Sequence, residues 1–139
     1  MNNIYIEKVW NDLDLIEIFI EASSEFVMAK QKCYITTNDL YNKGEKIIEY
    51  TLEDKLDDLY LEFGQKKGNF TPSFSMKIIK KDSWGHYYIE MDMEIDDIPN
   101  RSHRCVFFVE VELGGLKDLG EALIKISKSK ENIKFSLYN

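Results

Sequence analysis

The sequence predicts an α+β open-faced sandwich, an antiparallel sheet of about five to six strands with two helices packed on one face. Three observations lead there. Residues 87–96 and 105–113 place apolar side chains at every second position, as half-buried strands do. Two other segments, ending near residues 63 and 127, space their apolar residues at three and four, as amphipathic helices do. The segments follow one another as strand, strand, helix, strand, strand, strand, helix and a terminal strand, and the short connections between strands demand antiparallel pairing.

Ile4, Ile6, Val9 and Trp10 form a short first strand or lead-in, ended by the turn-prone pair Asn11-Asp12. Leu15 to Ala22 follows, with Ile16, Ile18 and Ile20 on one side and Glu17, Phe19 and Glu21 on the other. Ala22-Ser23-Ser24-Glu25 turns the chain. Phe26 to Ile35, interrupted by Lys30, Gln31 and Lys32, then pairs back as the second strand of a hairpin. Ile48, Leu52, Leu56, Leu59 and Phe63 recur at spacings of four, four, three and four, which puts them on one helical face with Gly64 as the C′ glycine. Thr51 to Asp54 resembles an internal capping box and Gly44 weakens a helix, so a short helical turn near Asn38 to Lys43 precedes this main helix.

Gln65 to Asn69 reads as a loop, Pro72 restricts the chain, and Ser73 to Lys80 is the next strand. Lys81 to Gly85 is a turn in which Gly85 takes a positive φ. The strand after it sets Tyr87, Ile89, Met91, Met93 and Ile95 against Tyr88, Glu90, Asp92, Glu94 and Asp96, one core face and one acidic face. Pro99 and Asn100 turn the chain into Cys105, Phe107, Val109, Val111 and Leu113, opposed by Val106, Phe108, Glu110 and Glu112, which completes a three-strand meander. Gly114-Gly115 breaks the sheet. Leu116, Leu119, Leu123 and Ile126 mark the second helix, with Lys125, Lys128 and Lys130 suited to its C-terminus, and Ile133, Phe135 and Leu137 a terminal strand. No internal repeat or linker is visible, and 139 residues make one domain, 1–139.

With 25 Asp plus Glu against 18 Lys plus Arg, a formal charge of −7, the chain is unsuited to nucleic acid or an anionic membrane and favours a basic partner. No run approaches the length of a membrane span, and the start, MNNIYIEKVW, lacks a secretory pattern, so a cytoplasmic location is expected. Cys33 and Cys105 have no metal-ligand spacing, and His86 lies on the opposite side of its strand from the core. A site built from His86, His103, Cys33 and Cys105 therefore fails on parity, and no metal or cofactor is expected. Paired strand carboxylates would serve a hydrolase only beside an apolar pocket, which nothing marks, so the chain reads as no enzyme. The sharper signal is aromatic: Phe19, Tyr88 and Phe108 stand among carboxylates at outward strand positions, the composition of a protein interface that anchors and steers a basic partner.

The segments LIEIFIEASSEFVMAKQKCYI, YTLEDKLDDLYLEF, SFSMKIIKKDSWGHYYIEMDMEI, HRCVFFVEVE and LGGLKDLGEALIKI, in that order over roughly residues 13 to 127, resemble the small bacterial immunity proteins of polymorphic toxin and contact-dependent inhibition systems, in particular the WapI-like group. WGHYYIEMDMEI and VEVELGGLKDLGEAL carry most of the likeness. The resemblance implies a cytoplasmic, non-catalytic protein that binds and blocks a cognate toxin domain, often a nuclease. Such a toxin is basic where it holds its substrate, so the expected docking surface is Glu17, Glu21, Tyr88, Glu90, Asp92, Glu94, Phe108, Glu110 and Glu112. The rival surface is the acidic side of the first helix, Glu53, Asp54, Asp57, Asp58 and Glu62. Two other classes stand beside this one: a homodimeric scaffold that pairs its edge strands or exposed sheet, and a small carboxylate-dependent enzyme. The chain itself is expected to be a monomer or a homodimer.

Overall fold

The computed structural model describes residues 1–53, 57–64, 73–95, 101 and 103–138. In chain order the elements are β1 (Asn3–Asp12), β2 (Leu15–Ser23), β3 (Met28–Thr36), α1 (Thr37–Leu52), β4 (Leu59–Phe63), β5 (Ser73–Lys80), β6 (His86–Ile95), β7 (His103–Glu112), α2 (Leu113–Lys128) and β8 (Lys134–Ser136). The α+β class holds. The strands, however, form two four-stranded sheets, ordered β3-β2-β1-β8 and β4-β5-β6-β7, in place of the single sheet of five to six strands. All pairings are antiparallel.

The topology repeats although the sequence shows no repeat. A three-strand meander, β1-β2-β3, leads into α1, and a second, β5-β6-β7, leads into α2. The strand after each helix crosses to the other sheet: β4 pairs with β5, and β8 returns to pair with β1 through Tyr5 and Ser136, Ile6 and Phe135, and Glu7 and Lys134. Each half thus covers one edge of the other's meander, β4 lying beside β5 and β8 beside β1.

Alternation fixes the inward faces. Ile4 and Ile6 of β1, Ile16, Ile18 and Ile20 of β2, Cys33 and Ile35 of β3, Ile89, Met91 and Met93 of β6, and Phe107, Val109 and Val111 of β7 lie in one apolar core with buried residues of both helices. Each such side chain contributes roughly 1.5–3 kcal/mol by leaving water. Lys8, in the same row as Ile4 and Ile6, is also buried. Its ammonium donates to the Ser129 carbonyl at the end of α2, where a cation suits the helix dipole, and burial lowers its pKa.

The first helix departs most from expectation. It spans Thr37–Leu52 and buries Leu40, Gly44, Ile47 and Tyr50, while Leu52 is 75% exposed. Glu53 is extended at φ −110 and ψ 139, so the expected single face from Ile48 to Phe63 does not exist. Leu56 and the Asp54 of the expected capping box lie outside the described residues. Leu59–Phe63 is a strand in which Leu61 and Phe63 point inward and Tyr60 and Glu62 outward, and Phe63 stacks on Phe74 with centroids 4.5 Å apart. Pairing with β5 satisfies the backbone and buries Leu61, which the helical reading left off its face. Gly64, at φ 77, therefore follows a strand rather than ending a helix. At the other end of α1, Thr36 accepts the Asp39 N–H at 3.1 Å as N-cap. Thr36→Ala is expected to cost about 1 kcal/mol in urea denaturation.

Other boundaries move less. β1 is a full strand that runs to Asp12, and the turn falls at Leu13, which has φ 45. β3 begins at Met28 rather than Phe26. Gly114 and Gly115 lie in the first turn of α2 and do not separate it from the sheet, because β7 ends at Glu112 and the helix begins at Leu113. The turn expected around Pro99 and Asn100 and the loop at Gln65 to Asn69 lie outside the described residues.

Candidate protein-docking surface

The outward face of the β4-β5-β6-β7 sheet is fixed by register. Glu110, Tyr88 and Ile79 form one cross-strand row; Phe108, Glu90, Lys77 and Tyr60 the next; Val106, Asp92, Ser75 and Glu62 a third; Arg104, Glu94 and Ser73 a fourth. Alternation sends these side chains away from Phe107, Val109, Ile89 and Met91 in the core, so the same pattern that builds the core also gathers carboxylates and aromatics outside. Tyr88 and Phe108 meet edge to face with centroids 6.1 Å apart, and Phe108 is 48% exposed.

Cations are built into the face. Arg104 grips Asp92 with two hydrogen bonds, Nη2 to Oδ2 at 2.7 Å and Nε to Oδ1 at 3.0 Å, and lies 3.9 Å from Glu94. The Asp92 carboxylate raises the Arg104 pKa further. Lys81 reaches Glu110 at 3.1 Å and lies 5.2 Å from the centre of the Tyr88 ring; hydrogen bonds to Glu110 and Tyr88 hold its ammonium above the ordinary value. Lys77 lies 3.8 Å from Asp58. Glu90 and Glu112 form no ion pair among the described residues, so their charge is not offset by a cation of this face.

The nine residues expected to form one surface divide between the two sheets. Tyr88, Glu90, Asp92, Glu94, Phe108, Glu110 and Glu112 belong to the face just described, whereas Glu17 and Glu21 are on β2 of the other sheet. There Glu21 lies between Tyr5 and Lys30, and Glu17 between Trp10 and Tyr34, with Phe19 beside Lys32. That second face is mixed in charge and carries two edge-to-face aromatic pairs, Tyr5 with Phe19 and Trp10 with Tyr34. The Tyr5 hydroxyl donates to Glu7, which with burial pushes its pKa up to about 12. The rival surface on the first helix is not there either. Glu53 caps α1, Asp57 and Asp58 precede β4, Glu62 belongs to the β4 outward face, and Asp54 lies outside the described residues.

Two further large aromatic residues are exposed outside the expected surface. Phe26, in the β2–β3 connection, is 86% exposed and borders an open groove of about 330 Å³ shared with Asn2, Tyr88, Phe108 and Glu110. Trp84, at the tip of the β5–β6 turn, is 83% exposed. Trp84 sits in an expected turn, where an aromatic residue leaves no periodic signal, whereas Phe26, expected to open the second strand, lies in the connection before it. The turn itself is held by Asp82, whose Oδ1 accepts the N–H groups of Trp84 and His86 and whose Oδ2 lies 2.8 Å from His86 Nδ1.

The thiols are packed as expected for Cys33, which is buried, with burial and then the charge of Glu17 pushing it up to about 12; Cys105 is half-buried. His86 and His103 are both exposed. Among the described residues no group of His, Cys, Asp or Glu is arranged to hold a metal ion, and no helix is long and apolar enough to cross a membrane. Comparison with known protein families, curated proteins and solved structures finds no match to this chain.

Proposed function

We propose that the chain is a non-catalytic immunity protein that binds a basic, nuclease-type toxin domain through the outward face of the β4-β5-β6-β7 sheet. The observation that carries this reading is the edge-to-face pair of half-buried Tyr88 and exposed Phe108, set among Glu90, Glu110 and Glu112. Aromatic side chains of this kind anchor an interface at low entropic cost, and a carboxylate rim draws in a basic partner. The resemblance of WGHYYIEMDMEI and VEVELGGLKDLGEAL to WapI-like immunity proteins supports the same reading, and both stretches contribute to this face. YTLEDKLDDLYLEF supports it less, since its second half is a strand.

A toxin domain of this type acts on cytoplasmic nucleic acid, so the proposal places the chain in the cytoplasm. A gene for a large secreted protein with a toxic C-terminal domain is expected immediately upstream. That domain, once purified, is expected to bind the chain and to lose its nuclease activity at stoichiometric addition. A metabolic operon at that position, or a toxin domain that stays active with the chain in excess, overturns the proposal.

A further inference from the structure

β7 ends its sheet, and its outer edge pairs with no strand among the described residues. The direction of its backbone groups can be fixed from one hydrogen bond. Glu110 N–H points off the sheet to Asn2 Oδ1 at 3.0 Å, and the β6–β7 register runs from Glu112 to His103 without a shift. N–H and C=O groups of alternate residues point the same way in an antiparallel ladder, so those of Phe108, Val106 and Arg104 also point outward. Their side chains are exposed: Val106 50%, Phe108 48%, and the Arg104 side chain 62%. Natural edges are usually blunted by charge, proline or a bulge, and the middle of this one carries two large apolar residues and none of those devices.

We propose that this edge pairs with the same edge of a second copy of the chain, antiparallel about a two-fold axis at Val106. The strand is self-complementary in that register. Val106 faces Val106 of the partner subunit, Arg104 faces Phe108 of the partner subunit, and Glu110 of the partner subunit lies one diagonal step from Arg104, roughly 7–8 Å. A guanidinium already held flat by Asp92 thereby gains an aromatic face to stack on. The half-buried Cys105 comes opposite Phe107 of the partner subunit on the inner side. Neighbouring registers are worse. Setting Arg104 opposite Glu110 takes the Glu110 N–H away from Asn2, and setting Arg104 opposite Val106 brings the two Arg104 side chains within a diagonal step of each other.

This inference does not depend on the toxin-binding reading. The pairing is lateral, so it makes the outward face continuous across two copies and covers only its β7 margin, where Arg104 of the partner subunit meets Phe108. Because the contact is small, dimerisation is expected at micromolar concentration. Each copy carries a formal charge of −7, so added salt should tighten the dimer.

Sedimentation velocity of the full chain, from low micromolar to submillimolar concentration and at low and high salt, is the test. A monomer–dimer equilibrium strengthened by salt is expected. Val106→Pro removes an N–H that the β6 ladder does not use, and Val106→Lys leaves the backbone alone; both should raise the dimer dissociation constant at least tenfold with an unchanged circular dichroism spectrum. Val106→Cys in a Cys105→Ser background should oxidise to an intermolecular disulfide, since directly opposed strand residues lie within bridging distance. A monomer at every concentration, a dimer indifferent to Val106→Pro and Val106→Lys, or the absence of the Val106→Cys cross-link overturns the proposal.

Discussion

Gly44→Val is expected to destabilise the chain by about 3 kcal/mol, because overpacking a contact between two backbones leaves little room for relaxation. A Cβ at Gly44 would sit 2.6 Å from the Gly120 carbonyl oxygen and 2.8 Å from Ile124 Cγ1. At Gly120 it would sit 2.9 Å from Ile48 Cγ1 and 3.0 Å from the Gly44 carbonyl oxygen. The contact is reciprocal, so α1 and α2 cross where each presents a glycine. Moving either helix would pull its buried residues, Leu40 and Ile47 or Leu116 and Leu123, out of the common core. Gly44→Ala should lose less, since alanine recovers about 1 kcal/mol of helix propensity. Gly114→Ala is the control with the opposite sign: nothing lies within 4 Å of a Cβ there, so the propensity gain stands unopposed. Urea denaturation with an unchanged m-value reads all three. Equal effects of Gly44→Ala and Gly114→Ala would mean that the crossing does not depend on the glycines.

The same glycines show why part of the fold was legible and part was not. β2, β6 and β7 each bury one face, so alternation alone locates them and gives the direction of nearly every side chain. Gly44 reads locally as a helix weakener, and that reading hid the start of α1. The clue lay elsewhere in the chain: Leu40, Gly44, Glu45 and Ile48 recur at the same spacing as Leu116, Gly120, Glu121 and Ile124 in α2. Leu59 and Phe63 are spaced so that a helix and a strand both fit; a long-range pairing with β5 decides between them, and no local signal carries it. The exchange of β4 and β8 between the halves is unreadable for the same reason. At the candidate surface, parity assigns Glu17, Glu21, Glu90 and Glu110 each to an outward position, but it does not say which sheet a strand joins, so the single face it suggests divides into two.

Glu90→Lys with Glu112→Lys is expected to slow association with a basic toxin domain about tenfold or more at low salt, with the deficit shrinking as salt is added. These two positions are chosen because neither carboxylate is held by a cation of the described chain. Asp92 would be a poor choice: its side chain is only 15% exposed and receives both Arg104 hydrogen bonds, so a lysine there would set two cations together and test the fold instead of the surface. Glu110 is already shared with Lys81, which should blunt its reversal. Phe108→Ala separates anchoring from steering. It removes the exposed half of the Tyr88–Phe108 pair, and the expected loss of about 2 kcal/mol, roughly 30-fold in affinity, should appear in the dissociation rate and resist salt. Glu17→Lys with Glu21→Lys, on the other sheet, is expected to leave both rates within twofold. Stopped-flow association and surface-based dissociation measurements resolve these cases. If the Glu17 and Glu21 pair weakens binding while Glu90, Glu112 and Phe108 do not, the partner docks on the β3-β2-β1-β8 face, where Lys30, Lys32 and two aromatic pairs would then require a partner of mixed rather than basic charge.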